Sequence, residues 1–196
     1  ERKLYRDVTR TKVKIEKVTN QLVEAQNTVD TLRKENVNNA LGSDQVYIAI
    51  GGLKKEMILL YNSDNVPSYD FSIQIWDYDE IFSQCKITPS RDQYYIDRNC
   101  HDRLRMSELH PIIYGGSHHG TNIKLQRDRT YKITALAVCR RAQYFMDMIY
   151  IPEKGYVTRR YKWKNGDRVI LDIYNPDGIK VDWDKEFTKP TNFIPI

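Results

Sequence analysis

The sequence predicts a mainly β protein, an antiparallel β-sandwich or barrel preceded by a long coiled-coil helix. Three observations predict it. Residues 4 to 36 carry an unbroken heptad. The chain after residue 44 alternates apolar and polar residues in short runs bounded by Gly, Pro, Asn and Asp. No helical apolar period falls between those runs.

The heptad reads Leu4, Val8, Thr11, Ile15, Val18, Leu22, Ala25, Val29, Leu32, Asn36, in steps of 4 and 3. A helix gathers such a series into one seam, and a supercoil keeps that seam facing a partner. Val8, Ile15, Leu22 and Val29 take the a positions, and their largely β-branched character favours two parallel strands. Thr11 and Ala25 weaken the d positions, and Asn36 is a register-setting residue or a fraying end. A helix folded back on a globular core shows a wider apolar stripe than this. The expectation is therefore a homo-oligomer through residues 4–36, with Val8, Ile15, Val18, Leu22, Val29 and Leu32 as its contact residues. The stalk is assigned to residues 1–38 and a linker to 39–44, where Gly42 and the Asn cluster stop the helix. The β domain is assigned to 45–196, a size that buries its own core.

Strands are predicted at Gln45–Ile50, before a Gly51-Gly52 turn, and at Glu56–Tyr61, before the Asn62–Pro67 turn. Tyr69–Trp76 alternates well, with Tyr69, Phe71, Ile73 and Ile75 on one face. Residues 79–110 read as polar and irregular, apart from a short strand at Tyr94–Ile96. Pro111–Tyr114 and Asn122–Leu125 bracket a Gly115-Gly116 loop. Tyr131–Cys139 and Tyr144–Ile151 are strong alternators. Gly155–Trp163 and Arg168–Tyr174 form a hairpin, because Asn165-Gly166 supplies the positive φ values of a type I′ turn. A last strand is predicted at Ile179–Trp183, then an extended tail from Pro190. That makes about eight strands with local connections.

The segment Pro67-Ser68-Tyr69-Asp70-Phe71-Ser72-Ile73-Gln74-Ile75-Trp76-Asp77, preceded by Leu59-Leu60-Tyr61-Asn62, resembles a strand pair of uncharacterised bacterial proteins. Those are membrane-tethered coiled-coil proteins with an immunoglobulin-like β-sandwich head. The resemblance covers about 20 residues. It implies the immunoglobulin-like form of the sandwich, and no activity or catalytic residue.

Composition and charge narrow the function. The chain of 196 residues is 40% hydrophobic and 29% charged, with a net charge of +5. Residues 1–17 carry seven basic side chains against three acids, so +4 of the +5 sits at the start of the stalk. A basic segment beside an anionic membrane surface explains this, and a solvated helix face explains it equally. No apolar run is long enough to span a bilayer. The expected location is the cytoplasm, with a tether upstream of residue 1 as the membrane-associated form. Cys85, Cys100 and Cys139 make a poor disulfide framework. Cys139 continues a strand as a buried hydrophobe; Cys85 and Cys100 could pair, and reduced thiols are the favoured expectation for a cytoplasmic protein.

No motif names a reaction. His101, His110, His118 and His119 fall close together, and imidazole is a good zinc ligand. His101, His118 and His119 are the candidate metal ligands, although no HExxH or CxxC spacing supports them. Gly115, Gly116, Ser117, His118 and His119 are the candidate ligand loop, since successive backbone N–H groups can cradle phosphate. A GxSxG elbow is absent, and Ser117 beside His118 has no orienting acid. Asp77/Asp79 and Asp182/Asp184 would each share a strand face. Arg159–Lys164 interleaves basic and aromatic residues, as single-stranded nucleic acid requires, but the head is nearly neutral and nucleic acid is not favoured. The leading expectation is a non-enzymatic recognition or sensor module with a protein partner and no cofactor. The alternatives are an enzyme or nucleotide sensor using 100–121, then nucleic-acid binding through 159–164.

Overall fold

The computed structural model describes residues 2–51, 57–90, 93–126, 128–164, 167–189 and 193–195. It divides at Ala40/Leu41 into two units. The first is helix α1, Arg2–Leu41. It runs to Leu41 because no residue before Gly42 breaks it. Gly42 adopts φ +77°, and a Cβ there would lie 2.6 Å from the Pro67 carbonyl oxygen. Only glycine closes the helix at that approach. Every α1 side chain from Arg10 to Val37 is exposed, including the seam residues Ile15, Val18, Leu22, Val29 and Leu32. The side chains of Leu4 and Val8 lie outside the described residues.

The second unit is mainly β. Its elements are β1 (Val46–Gly51), β2 (Met57–Asn62), β3 (Ser68–Asp77), α2 (Tyr78–Gln84), β4 (Ile87–Ser90), β5 (Gln93–Ile96), α3 (Arg98–Leu104), β6 (Met106–Ile113), β7 (His118–Lys124), β8 (Tyr131–Val138), β9 (Gln143–Ile151), β10 (Gly155–Lys164), β11 (Asp167–Tyr174), α4 (Trp183–Glu186) and β12 (Phe193–Pro195). They form a three-stranded sheet β1-β2-β7, a six-stranded sheet β11-β10-β9-β8-β3-β6, and a small sheet β12-β5-β4. The first two are antiparallel throughout, and β12 joins β5 in parallel.

The main core lies between the first two sheets. Val46, Ile48, Ile58 and Leu60 meet Phe71, Ile73, Ile75, Ala135, Tyr144 and Met146 there, all buried. Period-2 alternation puts these residues on the facing sides. Thr158 donates to the Ile48 carbonyl at 2.7 Å and Tyr144 to the Val46 carbonyl at 3.1 Å, joining β1 to the larger sheet.

The outer face of the six-stranded sheet is also covered, and here the structure departs from expectation. Residues 79–110 are not irregular. They hold α2, β4, β5, α3 and the start of β6. Asp77 caps α2 by accepting from Asp79 and Glu80 N–H, and Asp97 caps α3 by accepting from Cys100 N–H. Cys85 and Cys100, expected reduced, form a disulfide that joins the end of α2 to α3. Trp76, Ile81, Cys85 and Ile96 make a second cluster beneath it. Cys139 is free and buried, as expected.

Residues 179–183 form no strand. Asn175 closes a turn with both main-chain groups of Ile179 at 2.9 Å, and Asp182 caps α4. The alternation there still has a use. Ile179, Val181 and Trp183 pack with Phe187 on Tyr78, Ile149 and Val157, as an extended segment laid across the sheet. Twelve strands are present among the described residues, against about eight expected. The Asn165-Gly166 turn lies outside the described residues, but its hairpin is present as β10–β11.

Candidate functional site: a cleft on the outer sheet face

The glycine loop is a corner where the chain passes from β6 in one sheet to β7 in the other. A Cβ on Gly115 would lie 2.4 Å from the Asn65 carbonyl carbon, and Gly116 adopts φ +65°. Gly116 N–H donates to the Asp64 carbonyl at 2.7 Å, so it is not available to a phosphate. Buried Asn62 completes the clamp, donating to the carbonyls of Val66 and Ile113. Close backbone approach accounts for Gly115, and the left-handed φ accounts for Gly116.

Ser117 pairs with His119 rather than His118. Its Oγ lies 2.9 Å from His119 Nε2 and donates to the Tyr114 carbonyl at 2.7 Å, while Nε2 accepts from Tyr114 N–H at 3.0 Å. Among the described residues no carboxylate orients this imidazole. Burial holds its pKa below the ordinary value, and the His110 charge adds to this. His118 is exposed and stacks on Tyr61 with ring centres 4.4 Å apart. His101 sits elsewhere, buried in α3 against Trp76. Burial also lowers its pKa, against the pull of Asp102. Among the described residues no three His, Cys, Asp or Glu side chains stand together to hold a metal ion. The structure thus does not gather His101, His118 and His119. The carboxylate pairs are also otherwise engaged, with Asp77 and Asp182 acting as helix caps.

The basic residues of β10 are not on a half-solvated strand. Arg159 and Arg160 are both buried and held on opposite faces. On the inner face Arg160 donates from Nε to Asp172 Oδ1 at 2.8 Å and from its terminal nitrogens to Asp172, to Gln45 and to the Asp44 carbonyl. Its guanidinium stacks on Tyr47 and Tyr144. On the outer face Arg159 donates through Nε and Nη2 to Asp147 Oδ2 at 3.0 and 2.8 Å. Asp147 is fully buried, and its Oδ1 accepts from Thr134 and Tyr161 hydroxyls at 3.1 Å. Burial pushes the Asp147 carboxyl up, and the Arg159 charge opposes it. Such a buried pair persists only with its remaining lone pairs satisfied, and here four donors meet the carboxylate.

Above this network lies a cleft of about 810 Å³. Its floor is Arg159, Arg168 and Ile170 of the sheet, and its wall is the 180–184 segment with Trp183. Trp183 covers Arg159 at 4.7 Å. Arg168 donates to the carbonyls of Phe187 and Lys189 at 2.9 and 2.8 Å, and no carboxylate pairs with it among the described residues. Its Nε and the neighbouring Trp163 Nε1 are buried without an acceptor there. This volume is in the range of small-molecule sites.

No protein-family model, curated protein or solved structure matches the chain.

Sequence reasoning missed Asp147, Asp172 and Trp183 as parts of one constellation. A signal was present for the first. An Asp in the middle of Tyr144-Phe145-Met146-Asp147-Met148 must be buried, and a buried carboxylate demands a cation. The paired arginines of β10 were the available answer.

Proposed function

We propose that the protein is a non-enzymatic recognition module, in which α1 assembles chains in parallel and each β head offers the outer cleft to a partner. The observation that carries it is the continuous 4–3 seam on a helix with exposed seam residues: Ile15 is 60% and Leu22 65% exposed. Such an apolar stripe on a lone helix is stabilised by a second copy. The two antiparallel sheets over one core support the immunoglobulin-like sandwich as the head's architecture, with 78–104 and 179–189 as added coverings. The enzyme reading of 100–121 loses its motivation, because its glycines form a corner and Cys100 is in a disulfide. Nucleic-acid binding loses Arg159 and Arg160, both buried, to ion pairs with Asp147 and Asp172.

Among the described residues no helix is long and apolar enough to cross a membrane. The basic start of α1 supports contact with an anionic lipid surface. The disulfide supports a head facing an oxidising compartment rather than the expected cytoplasm. Sedimentation velocity tests the assembly. The full chain should sediment as an oligomer at micromolar concentration, and Leu22→Glu should return it to monomer. A monomeric wild-type chain would sink the proposal.

A further inference from the structure

The outer cleft combines three features that together define a ligand. Arg168 forms no ion pair among the described residues, although it feels the Asp147 charge. Two of its five N–H groups donate to carbonyls, its Nε is buried, and the other two Nη hydrogens have no acceptor among the described residues. Beside it the floor is apolar, with Ile170 44% exposed, although it lies on a folded sheet. The wall carries Trp183 together with Lys180, Asp182 and Asp184. A guanidinium matches an oxyanion, and Ile170 with Trp183 matches an apolar body. Lys180 offsets one of the two wall carboxylates, and the single negative charge left on the wall favours a singly charged head over a phosphate. Arg159 adds no free charge, because Asp147 balances it.

We propose that this cleft binds a monocarboxylate carrying an apolar body, with its carboxylate on Arg168 and its body between Ile170 and Trp183. The proposal rests on the cleft being the recognition surface, and is independent of assembly through α1.

The full chain is titrated by calorimetry with four probes: 3-phenylpropionate, its amide, phenyl phosphate and acetate. The expected result is one 3-phenylpropionate per chain with a Kd of about 1 mM or tighter. The amide, phenyl phosphate and acetate should each bind at least tenfold more weakly. Two variants locate the site. Arg168→Gln should weaken binding at least tenfold. Because Arg168 also holds the carbonyls of Phe187 and Lys189, exposed Ile170→Glu serves as the second variant, and should abolish binding by repulsion while thermal unfolding stays cooperative. No binding of 3-phenylpropionate overturns the proposal. So does equal or tighter binding of the amide or of phenyl phosphate, or binding unaffected by Ile170→Glu. Sedimentation of the same samples reads assembly separately, so a failed ligand and a failed stalk are told apart.

Discussion

The two faces of the six-stranded sheet bury comparable side chains by different means. The inner face is closed by a second sheet, and its polar groups act as staples. Thr158 and Tyr144 tie it to β1, and Arg160 ties it to Asp44 just before β1. The outer face is closed by pieces that are not sheet: the disulfide-linked 78–104 region at one side and the 179–189 segment at the other. Neighbouring residues of one strand show the contrast. Arg160 is buried among Asp172, Gln45, the Asp44 carbonyl and the rings of Tyr47 and Tyr144. Arg159 supports a carboxylate beneath Trp183, beside an open cleft. Close packing between sheets favours rigidity, whereas a face covered by connecting segments can hold open space for a ligand.

The largest effect expected from breaking this contrast is at Asp147. Asp147→Ala leaves Arg159, 3% exposed, as a buried uncompensated charge. The cost should be about 3–5 kcal/mol in urea unfolding. Its inner-face counterpart is Asp172→Ala. Asp172 is 31% exposed, and Arg160 keeps its Gln45 and Asp44 acceptors, so water screens the loss. A cost of about 1–2 kcal/mol is expected. Equal losses at the two sites would mean that the faces do not differ as described.

The disulfide ranks between them. Cys85 and Cys100 enclose a separation of 15 residues, and closing such a loop contributes about 3 kcal/mol. Cys85→Ala with Cys100→Ala, or reduction of the wild type, should lower stability by about 2–4 kcal/mol. The outer cover over Trp76 should loosen first, read by hydrogen exchange at residues 78–104. Exchange increasing equally in β1 and β2 would argue against separate coverings. The disulfide itself is checked by mass spectrometry of protein alkylated without reductant: only Cys139 should be modifiable on unfolding.

The inner face was legible in the sequence and the outer covering was not, for one physical reason. A strand buried between two sheets must alternate over its whole length, as Tyr69–Trp76 and Tyr131–Cys139 do. Coverings of the outer face are too short to show a period. α2 and α3 have seven residues each, and their signals are single capping aspartates, Asp77 and Asp97. The segment around Val181 alternates like a strand because it lies on a sheet, but among the described residues it pairs with no strand. The cleft follows the same rule. Its parts come from β10, β11 and the 180–184 segment, and only Asp147, out of place in an apolar run, announces the network below it. His118 and His119, adjacent and chemically suggestive, turned out to lie at a corner defined by backbone contacts.

The smallest effect concerns pH, and it separates the outer covering from that corner. His101 is 5% exposed beneath the disulfide, and burial holds its pKa below the ordinary 6.5. In the unfolded chain the imidazole takes up a proton near 6.5, while in the fold it resists protonation until a lower pH. Between those two values the unfolded state binds more protons, so stability is full above 6.5 and falls as the solution is acidified through that window. The slope from one histidine cannot exceed about 1.4 kcal/mol per pH unit. His119 has a shift of the same direction but is only partly buried. His101→Phe should therefore flatten most of the loss in urea midpoints measured from pH 7 down to pH 5, and His119→Gln only a small part. If His119→Gln flattens it more, proton resistance resides at the β6–β7 corner, and the outer covering is not the part of the head that acid opens first.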